Sequence, residues 1–109
     1  MYMAYKNCID ACSECIAACN HCASSCLHEP DMNMLAKCIS LDLECVAVCQ
    51  AAIQLLCSGS VHANAICQVC ADVCNACAEE CEKHDMAHCR HCAIICRQCA
   101  EECVSMTAA

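Results

Sequence analysis

The sequence predicts an all-α protein, an antiparallel up-down-up-down four-helix bundle with a cysteine-lined core. Its 109 residues, expected to form one domain over 1–109, include one glycine and one proline, too few for a fold with many tight turns. Only three short segments interrupt the helix-forming composition, so the chain divides into four helices. Its 20 cysteines recur mostly at steps of three and four residues, the spacing of side chains that face a bundle core.

The three interruptions set the helix boundaries. Pro30 disfavours helical geometry in the residue before it and suits the first turn of a new helix. Gly59 can take the left-handed conformation that ends a helix, and Ser60 is a good N-cap for the next one. Asp85 can cap the last helix. We therefore predict helices at residues 3–28, 31–57, 61–83 and 86–105. Connections this short make consecutive helices antiparallel.

Three helices carry an uninterrupted cysteine ladder, and the second carries a thinner one. Helix one has Cys8, Cys12, Cys15, Cys19, Cys22 and Cys26. Helix three has Cys67, Cys70, Cys74, Cys77 and Cys81, and helix four has Cys89, Cys92, Cys96, Cys99 and Cys103. Helix two has Cys38, Cys45 and Cys49 on the inward stripe, and Cys57 near its end.

Metal binding explains this ladder better than packing or disulfides do. A core of cysteine and alanine would be underfilled and would bury little apolar area compared with leucine or isoleucine. Disulfides within a helix are disfavoured, because side chains one turn apart have Cβ atoms about 5 to 6 Å apart, against roughly 3.8 Å in a disulfide. Disulfides between helices remain an alternative. The first residues, MYMAYKNCIDAC, contain no export signal, so we expect a cytoplasmic protein with reduced thiols.

The charge of the filled core favours Cu(I) as the bound ion. Soft thiolates select Cu(I), zinc or iron–sulfur clusters, and the ferredoxin-type cluster motif with its trailing proline is absent. Each C-x-x-C pair could be half of a zinc site, but a four-thiolate zinc site keeps a net charge of about minus two, which is costly in a dry core. One Cu(I) per thiolate leaves the core neutral, and bridging thiolates would allow about one ion per cysteine. The sequence thus predicts multiple Cu(I) ions per chain.

The runs CIDACSECIAACNHCASSC, CQVCADVCNACAEEC and CRHCAIICRQCAEEC make the chain resemble the bacterial copper storage proteins, and the missing export signal is similar to the cytosolic branch of that family. The resemblance covers nearly the whole chain. It implies a bundle that loads many Cu(I) ions through its ladder cysteines for copper sequestration and detoxification, usually as a homotetramer. A zinc or general soft-metal buffer and a disulfide-stapled structural bundle remain the alternatives.

Helix two departs from the ladder at Asp42, where the rhythm calls for another cysteine, and at Ala52 and Leu56 further along. We expect a slight rotation of the helix to place Asp42 at a solvated edge of the bundle. The alternative is an inward carboxylate that acts as an oxygen ligand or proton acceptor. It would then need a partner, because an unpaired buried carboxylate is costly.

The predicted topology brings two loops, between helices one and two and between helices three and four, to the same end. Imidazole and thioether groups, which bind Cu(I) less firmly than thiolate, collect there, so we predict that ions enter at this end. His84 continues the ladder of helix three and should point inward, with Met86 and His88 as further candidate ligands. The other histidines near this end fall off the stripe and are expected on the surface: His21, His28 and His91.

Helix two is apolar nearly all round, with Leu41, Val48 and Leu55 on one line and Ile39, Leu43, Val46 and Ile53 on another. Such a helix is normally buried, so we predict that it forms a homo-oligomer interface. The net charge of minus 8 argues against nucleic acid or an anionic membrane as partner, and no stretch has the 18 uninterrupted apolar residues of a membrane span. No catalytic array or phosphate-binding loop is readable, so we expect no enzyme activity.

Overall fold

The computed structural model describes residues 3–108, and these form four α-helices joined by short connections. The helices are α1 (Lys6–Cys26), α2 (Ala36–Cys57), α3 (Ala63–Cys81) and α4 (Ala87–Ala108). Short 3-10 helices at Met3–Tyr5 and Met32–Leu35 lead into α1 and α2. The four predicted helices are confirmed. Met1, Tyr2 and Ala109, at the ends of the predicted domain, lie outside the described residues.

The helix ends differ from the predicted ones by a few residues, for local reasons. After Cys26 the chain closes two tighter turns, in which the amides of His28 and Glu29 donate to the carbonyls of Ser25 and Cys26 at 3.1 and 3.2 Å. These bonds end α1 before residue 28. Nothing in the sequence after residue 103 breaks a helix, so α4 continues to Ala108 rather than ending at 105.

The turn between α2 and α3 forms as the sequence predicts. Gly59 has a φ of 64°, the left-handed conformation that glycine adopts without a steric penalty. The Gly59 and Ser60 amides donate to the carbonyls of Leu56 and Leu55 at 3.2 and 3.0 Å, the two hydrogen bonds of a Schellman motif. Ser60 Oγ accepts the His62 amide at 3.0 Å and so closes the turn before α3, but the N-cap of α3 is His62 and not the predicted Ser60.

The helices surround a common axis in chain order, and α4 returns to pack against α1. The described molecule measures 45 × 19 × 18 Å, a narrow bundle. Small side chains at the helix contacts allow this close approach. The buried alanines are Ala18, Ala23, Ala52, Ala63, Ala71, Ala78, Ala93 and Ala100. Nineteen of the 20 cysteines are buried and Cys57 is exposed, which confirms the cysteine-lined core.

Candidate metal centre

The inward sulfurs of α1 and α4 face each other in pairs along the whole bundle. The two helices run antiparallel, so from one pair to the next the residue number rises on α1 and falls on α4. The Sγ–Sγ distances within these pairs lie between 3.7 and 3.9 Å. The pairs are Cys8 with Cys103, Cys12 with Cys99, Cys15 with Cys96, Cys19 with Cys92, and Cys22 with Cys89.

Sulfurs of α2 and α3 form a second row that touches the first. The row pairs Cys38 with Cys81 at 3.5 Å, Cys45 with Cys74 at 3.4 Å and Cys49 with Cys70 at 3.7 Å. Across the axis, Cys15 Sγ lies 3.4 Å from Cys45 Sγ and 4.0 Å from Cys74 Sγ. All four helices therefore contribute to one continuous core of nineteen buried cysteines, which we call the sulfur column.

The spacing of the sulfur column suits metal ions shared between thiolates. All 20 cysteines, every one within the described residues, are free thiols. A metal–sulfur bond of about 2.3 Å lets one ion join sulfurs up to roughly 4.6 Å apart. Several groups of four sulfurs lie within 4.8 Å of one another, and some cysteines belong to two groups. Three overlapping groups are 12/49/70/99, 15/49/74/99 and 15/19/45/96. Shared membership means that a filled column requires bridging thiolates.

Asp42 lies inside the sulfur column, so the expectation of a solvated edge position is wrong. Its side chain is fully buried. The thiols of Cys77 and Cys92 donate to its Oδ1 at 3.1 and 3.4 Å, and those of Cys81 and Cys38 lie 3.8 and 4.0 Å from its oxygens. The helix keeps its ladder register instead of rotating, because thiol donors on three helices give the carboxyl group the partners that burial requires.

Burial, together with negative charge on Cys92 and Cys38, raises the pKa of Asp42 to about 8, against the lowering effect of the Cys77 hydrogen bond. Burial also raises the pKa of the Cys26 thiol, and it raises that of Cys89 to about 11. At neutral pH these thiols and the carboxyl group therefore favour their protonated forms. A cation that binds them must displace protons.

One end of the sulfur column carries an imidazole beside a four-sulfur group. Cys22, Cys26, Cys38 and Cys89 form that group, and we call it the outer cluster. His88 Nδ1 lies 3.6 Å from Cys89 Sγ and 3.9 Å from Cys26 Sγ. Because Glu29, whose carboxylate lies 3.0 Å from the other ring nitrogen, belongs to the loop before α2, both loops meet at this end as predicted.

His84 is buried, as its ladder position predicts, but its ring is hydrogen-bonded to a carboxylate. Its Nε2 donates to Glu80 Oε2 at 2.9 Å. Lys83 and Lys37 lie 3.4 and 3.8 Å from Glu80 Oε1. Burial favours a higher pKa for Glu80, yet the hydrogen bonds from His84 and Lys83 and their charges outweigh it and lower that pKa. His84 thus lies at the predicted end within a network of charged side chains.

The remaining candidate ligands are less closely connected to the column. Met86 is partly buried and packs against the core. Cys57 is exposed at the end of α2, so the structure does not bring it to the other sulfurs. His21, His28 and His91 lie exposed, as expected, and His28 Nδ1 lies 2.9 Å from the backbone carbonyl of Ser24.

The sequence profile of the copper storage proteins matches residues 1–108. The chain belongs to the copper storage protein family.

Relatives of this copper storage protein include proteins seen with copper. A structure of the copper storage protein BsCsp3 with Cu(I) bound is 46% identical, with a TM-score of 0.90 over 94% of this chain and 96% of that one. A cytosolic copper storage protein from Streptomyces lividans, loaded with five coppers, is 39% identical, with a TM-score of 0.94 over 98% of this chain and 94% of that one. The uncharacterized cysteine-rich protein YhjQ of Bacillus subtilis is 48% identical over 74% of this chain and 75% of its own length.

Two carboxylates at the histidine end of the copper storage protein were not among the candidates drawn from the sequence. Glu80 precedes His84 by one helical turn, and this spacing in EECEKH could have indicated the pair. Glu29 pairs with His88, which is 59 residues away along the chain. No local spacing indicates that contact, since it depends on where the loop before α2 meets α4.

Proposed function

We propose that this protein stores Cu(I), many ions per chain, on the cysteine thiolates of its sulfur column, for copper sequestration and detoxification. The observation that supports this proposal most strongly is the continuity of the sulfur column. Buried free thiols from four helices lie 3.4 to 4.0 Å from their neighbours along the bundle. The proposed ligands are the nineteen buried cysteines.

The overlap of the four-sulfur groups favours Cu(I) over zinc. Cys15 and Cys49 each belong to two groups, so separate four-cysteine zinc sites could not all be filled at once. Each such site would also add a charge of about minus two to a dry core. Cu(I) accepts two or three thiolates that bridge to neighbouring ions and leaves the column neutral.

Anaerobic titration of the reduced protein with Cu(I), against a competing chelator, tests the proposal. We expect saturation near one equivalent per buried cysteine, and little displacement by Zn²⁺ at pH 7. Saturation after one or two equivalents would contradict storage. Thiol titration of protein purified anaerobically tests the disulfide alternative, which requires oxidised cysteines.

Two single substitutions provide a matched pair for this titration. Cys15→Ser removes a sulfur that lies 3.4 to 4.0 Å from four others, and it should lower the capacity by about one equivalent or more. Cys57→Ser removes an exposed thiol outside the column and should leave the capacity unchanged. An equal loss in both variants would show that the column is not where copper binds.

We also propose that ions enter at the histidine end, with His88, His84 and Met86 as ligands of incoming Cu(I). The contacts of His88 with the outer cluster support this assignment. The protein's task is then binding and release, with no catalysed reaction. A cytosolic location fits the free thiols and the relative described as cytosolic.

We propose further that α2 forms the interface of a homotetramer. The stretch Met32–Cys57 has a mean hydropathy of 1.6 and is long and apolar enough to cross a membrane, but only 28% of its apolar window is buried in the bundle. The inner face of α2 contributes to the sulfur column, and its outer face leaves Leu43 53% exposed and Ile39, Val46 and Ile53 only partly buried. A second copy of this helix would cover it.

Light scattering with a matched pair of substitutions tests the interface. Leu43→Glu introduces a charge on the outer face of α2 and should convert the oligomer to a monomer. Val104→Glu introduces the same charge at a position on α4 that is 51% exposed, and it should leave the assembly intact. A wild-type monomer at micromolar concentration would contradict the proposal.

A further inference from the structure

His88 joins the outer cluster to the loop before α2. Its Nδ1 faces two sulfurs, at 3.6 Å from Cys89 and 3.9 Å from Cys26. Its Nε2 lies 3.0 Å from Glu29 Oε1, and a carboxylate can only accept at that distance, so Nε2 carries the proton. In the neutral ring the lone pair is then on Nδ1, the atom that faces the sulfurs.

Glu29 is itself fixed to the outer cluster. Its amide donates to the carbonyl of Cys26 at 3.2 Å, and Pro30 restricts its backbone to extended conformations. The contacts therefore form a closed ring. The Cys26 carbonyl accepts the Glu29 amide, the Glu29 carboxylate accepts the His88 Nε2 proton, and His88 Nδ1 contacts Cys26 Sγ. The side chains of His88 and Glu29 are 12% and 30% exposed, so the ring lies at the surface of the column's end.

We propose that Glu29 is a positioning residue for Cu(I) loading. By accepting the Nε2 proton, it keeps the Nδ1 lone pair of His88 directed at the outer cluster, so that an incoming ion meets imidazole and thiolates together. The inference rests on the proposed storage function and goes beyond it, since it assigns a role to a residue outside the proposed set of metal ligands. Carboxylates that orient metal-binding histidines in this way commonly contribute 10- to 100-fold to affinity or activity.

The other carboxylate–histidine pair serves as an internal comparison. Glu80 also accepts the Nε2 proton of its histidine, His84, but it is shared with Lys37 and Lys83. His88, in contrast, contacts a carboxylate through Nε2 and cysteine sulfur through Nδ1. This difference assigns the positioning role to Glu29.

Stopped-flow loading of the reduced protein with Cu(I) tests the role of Glu29. Glu29→Ala should slow the first loading phase about 10- to 100-fold, with the final capacity unchanged. Glu29→Gln keeps a carbonyl oxygen that can accept the Nε2 proton and should load within about twofold of wild type. Asp31→Ala removes the same charge from the same loop, at an exposed side chain that makes no capping hydrogen bond, and should load normally.

A double-mutant cycle separates positioning from a general effect of the loop. In a His88→Ala background, Glu29→Ala should cause no further slowing, because the side chain that it positions is absent. Full slowing in that background, equal slowing by Asp31→Ala, or unchanged loading by Glu29→Ala would each overturn the inference.

Nitrogen-15 NMR of the metal-free protein gives a readout that does not depend on copper. Wild type and Glu29→Gln should show a protonated Nε2 of His88 with a slowly exchanging proton, and Glu29→Ala should lose that slow exchange. The same slow exchange in Glu29→Ala would overturn the inference. Failure of the storage proposal is distinguishable, since wild type would then saturate after one or two equivalents whatever the variants do.

Discussion

At the scale of single residues, Asp42 gives one level of the sulfur column a different chemistry from the rest. Its carboxyl group occupies a ladder position opposite Cys77, whereas α2 contributes a thiol at the levels of Cys38, Cys45 and Cys49. In the metal-free protein this group is surrounded by thiol donors and favours its protonated form. If Cu(I) loading also displaces this proton to solvent, the carboxylate that results can balance one additional positive charge.

The raised pKa of Asp42 predicts a pH-dependent stability for the metal-free protein. Its folded pKa of about 8 lies above the unfolded value of 3.8, so the unfolded chain loses its proton first as the pH rises. The free energy of unfolding should therefore fall between about pH 4 and pH 8, by roughly 3 kcal/mol between pH 5 and 7.5. Urea unfolding of the reduced protein at these two pH values measures the change.

Asp42→Asn is the matched control, because the amide has nearly the same shape and does not titrate. Its free energy of unfolding should change much less over this pH range. If wild type and Asp42→Asn show the same pH dependence, other groups cause it and Asp42 is not the buried acid described here.

The histidine end predicts a separation between loading rate and capacity. Replacing His84, Met86 and His88 together by alanine removes the candidate ligands of incoming ions and leaves every sulfur in place. Stopped-flow uptake or release of Cu(I) should slow, while the number of bound equivalents stays nearly constant. The control replaces the exposed His21, His28 and His91 by alanine and should load like wild type. Unaltered rates in the first variant would contradict entry at this end.

At the scale of helices and turns, the sequence was sufficient to predict the four helices and their order, because the signals that start and stop them are local. Cysteine spacing fixes the inward face of every helix, and Gly59 and Pro30 fix where the chain turns. Boundaries were less accurate where backbone hydrogen bonds decide them, as after Cys26, since several nearby residues could close the same turn.

The Schellman turn predicts a specific sensitivity at Gly59. Alanine in the left-handed conformation suffers a clash that glycine lacks, so Gly59→Ala should lower the free energy of unfolding by about 1 kcal/mol or more. Ser58→Ala, at the adjacent exposed position, loses only a weak 3.3 Å hydrogen bond to the Leu55 carbonyl and should change stability much less. Equal effects on urea unfolding would show that the left-handed conformation is not the cause.

At the scale of the whole molecule, the sequence predicted the thiol core but not every partner within it. The ladder determined which sulfurs face the axis because helical periodicity is a local property. The burial of Asp42 depended on thiol donors from α2, α3 and α4 meeting one carboxyl group. The contact of Glu29 with His88 depended on the joint position of two loops. Interactions between distant segments of this kind leave no periodic signal.

The composition of the column also predicts how copper affects the stability of the protein. Among the residues that the structure describes, Leu35 and Leu56 are the fully buried leucines of the core around the column, and the rest of that core is mainly cysteine and alanine. Such a core buries little apolar area, so the metal-free bundle should be only marginally stable. The Cu(I) sites between helices exist only in the folded chain. Bound Cu(I) should therefore raise the melting temperature.

This stabilisation should continue throughout loading and depend on pH. Because four helices supply ligands along the full length of the column, each further equivalent should raise the melting temperature until saturation, as measured by circular dichroism under anaerobic conditions. Since burial raises the thiol pKa of Cys26 and Cys89, loading releases protons, and apparent Cu(I) affinity should be higher at pH 8 than at pH 6. A melting temperature that stops rising after the first few equivalents would indicate that the remaining sulfurs do not join the helices through copper.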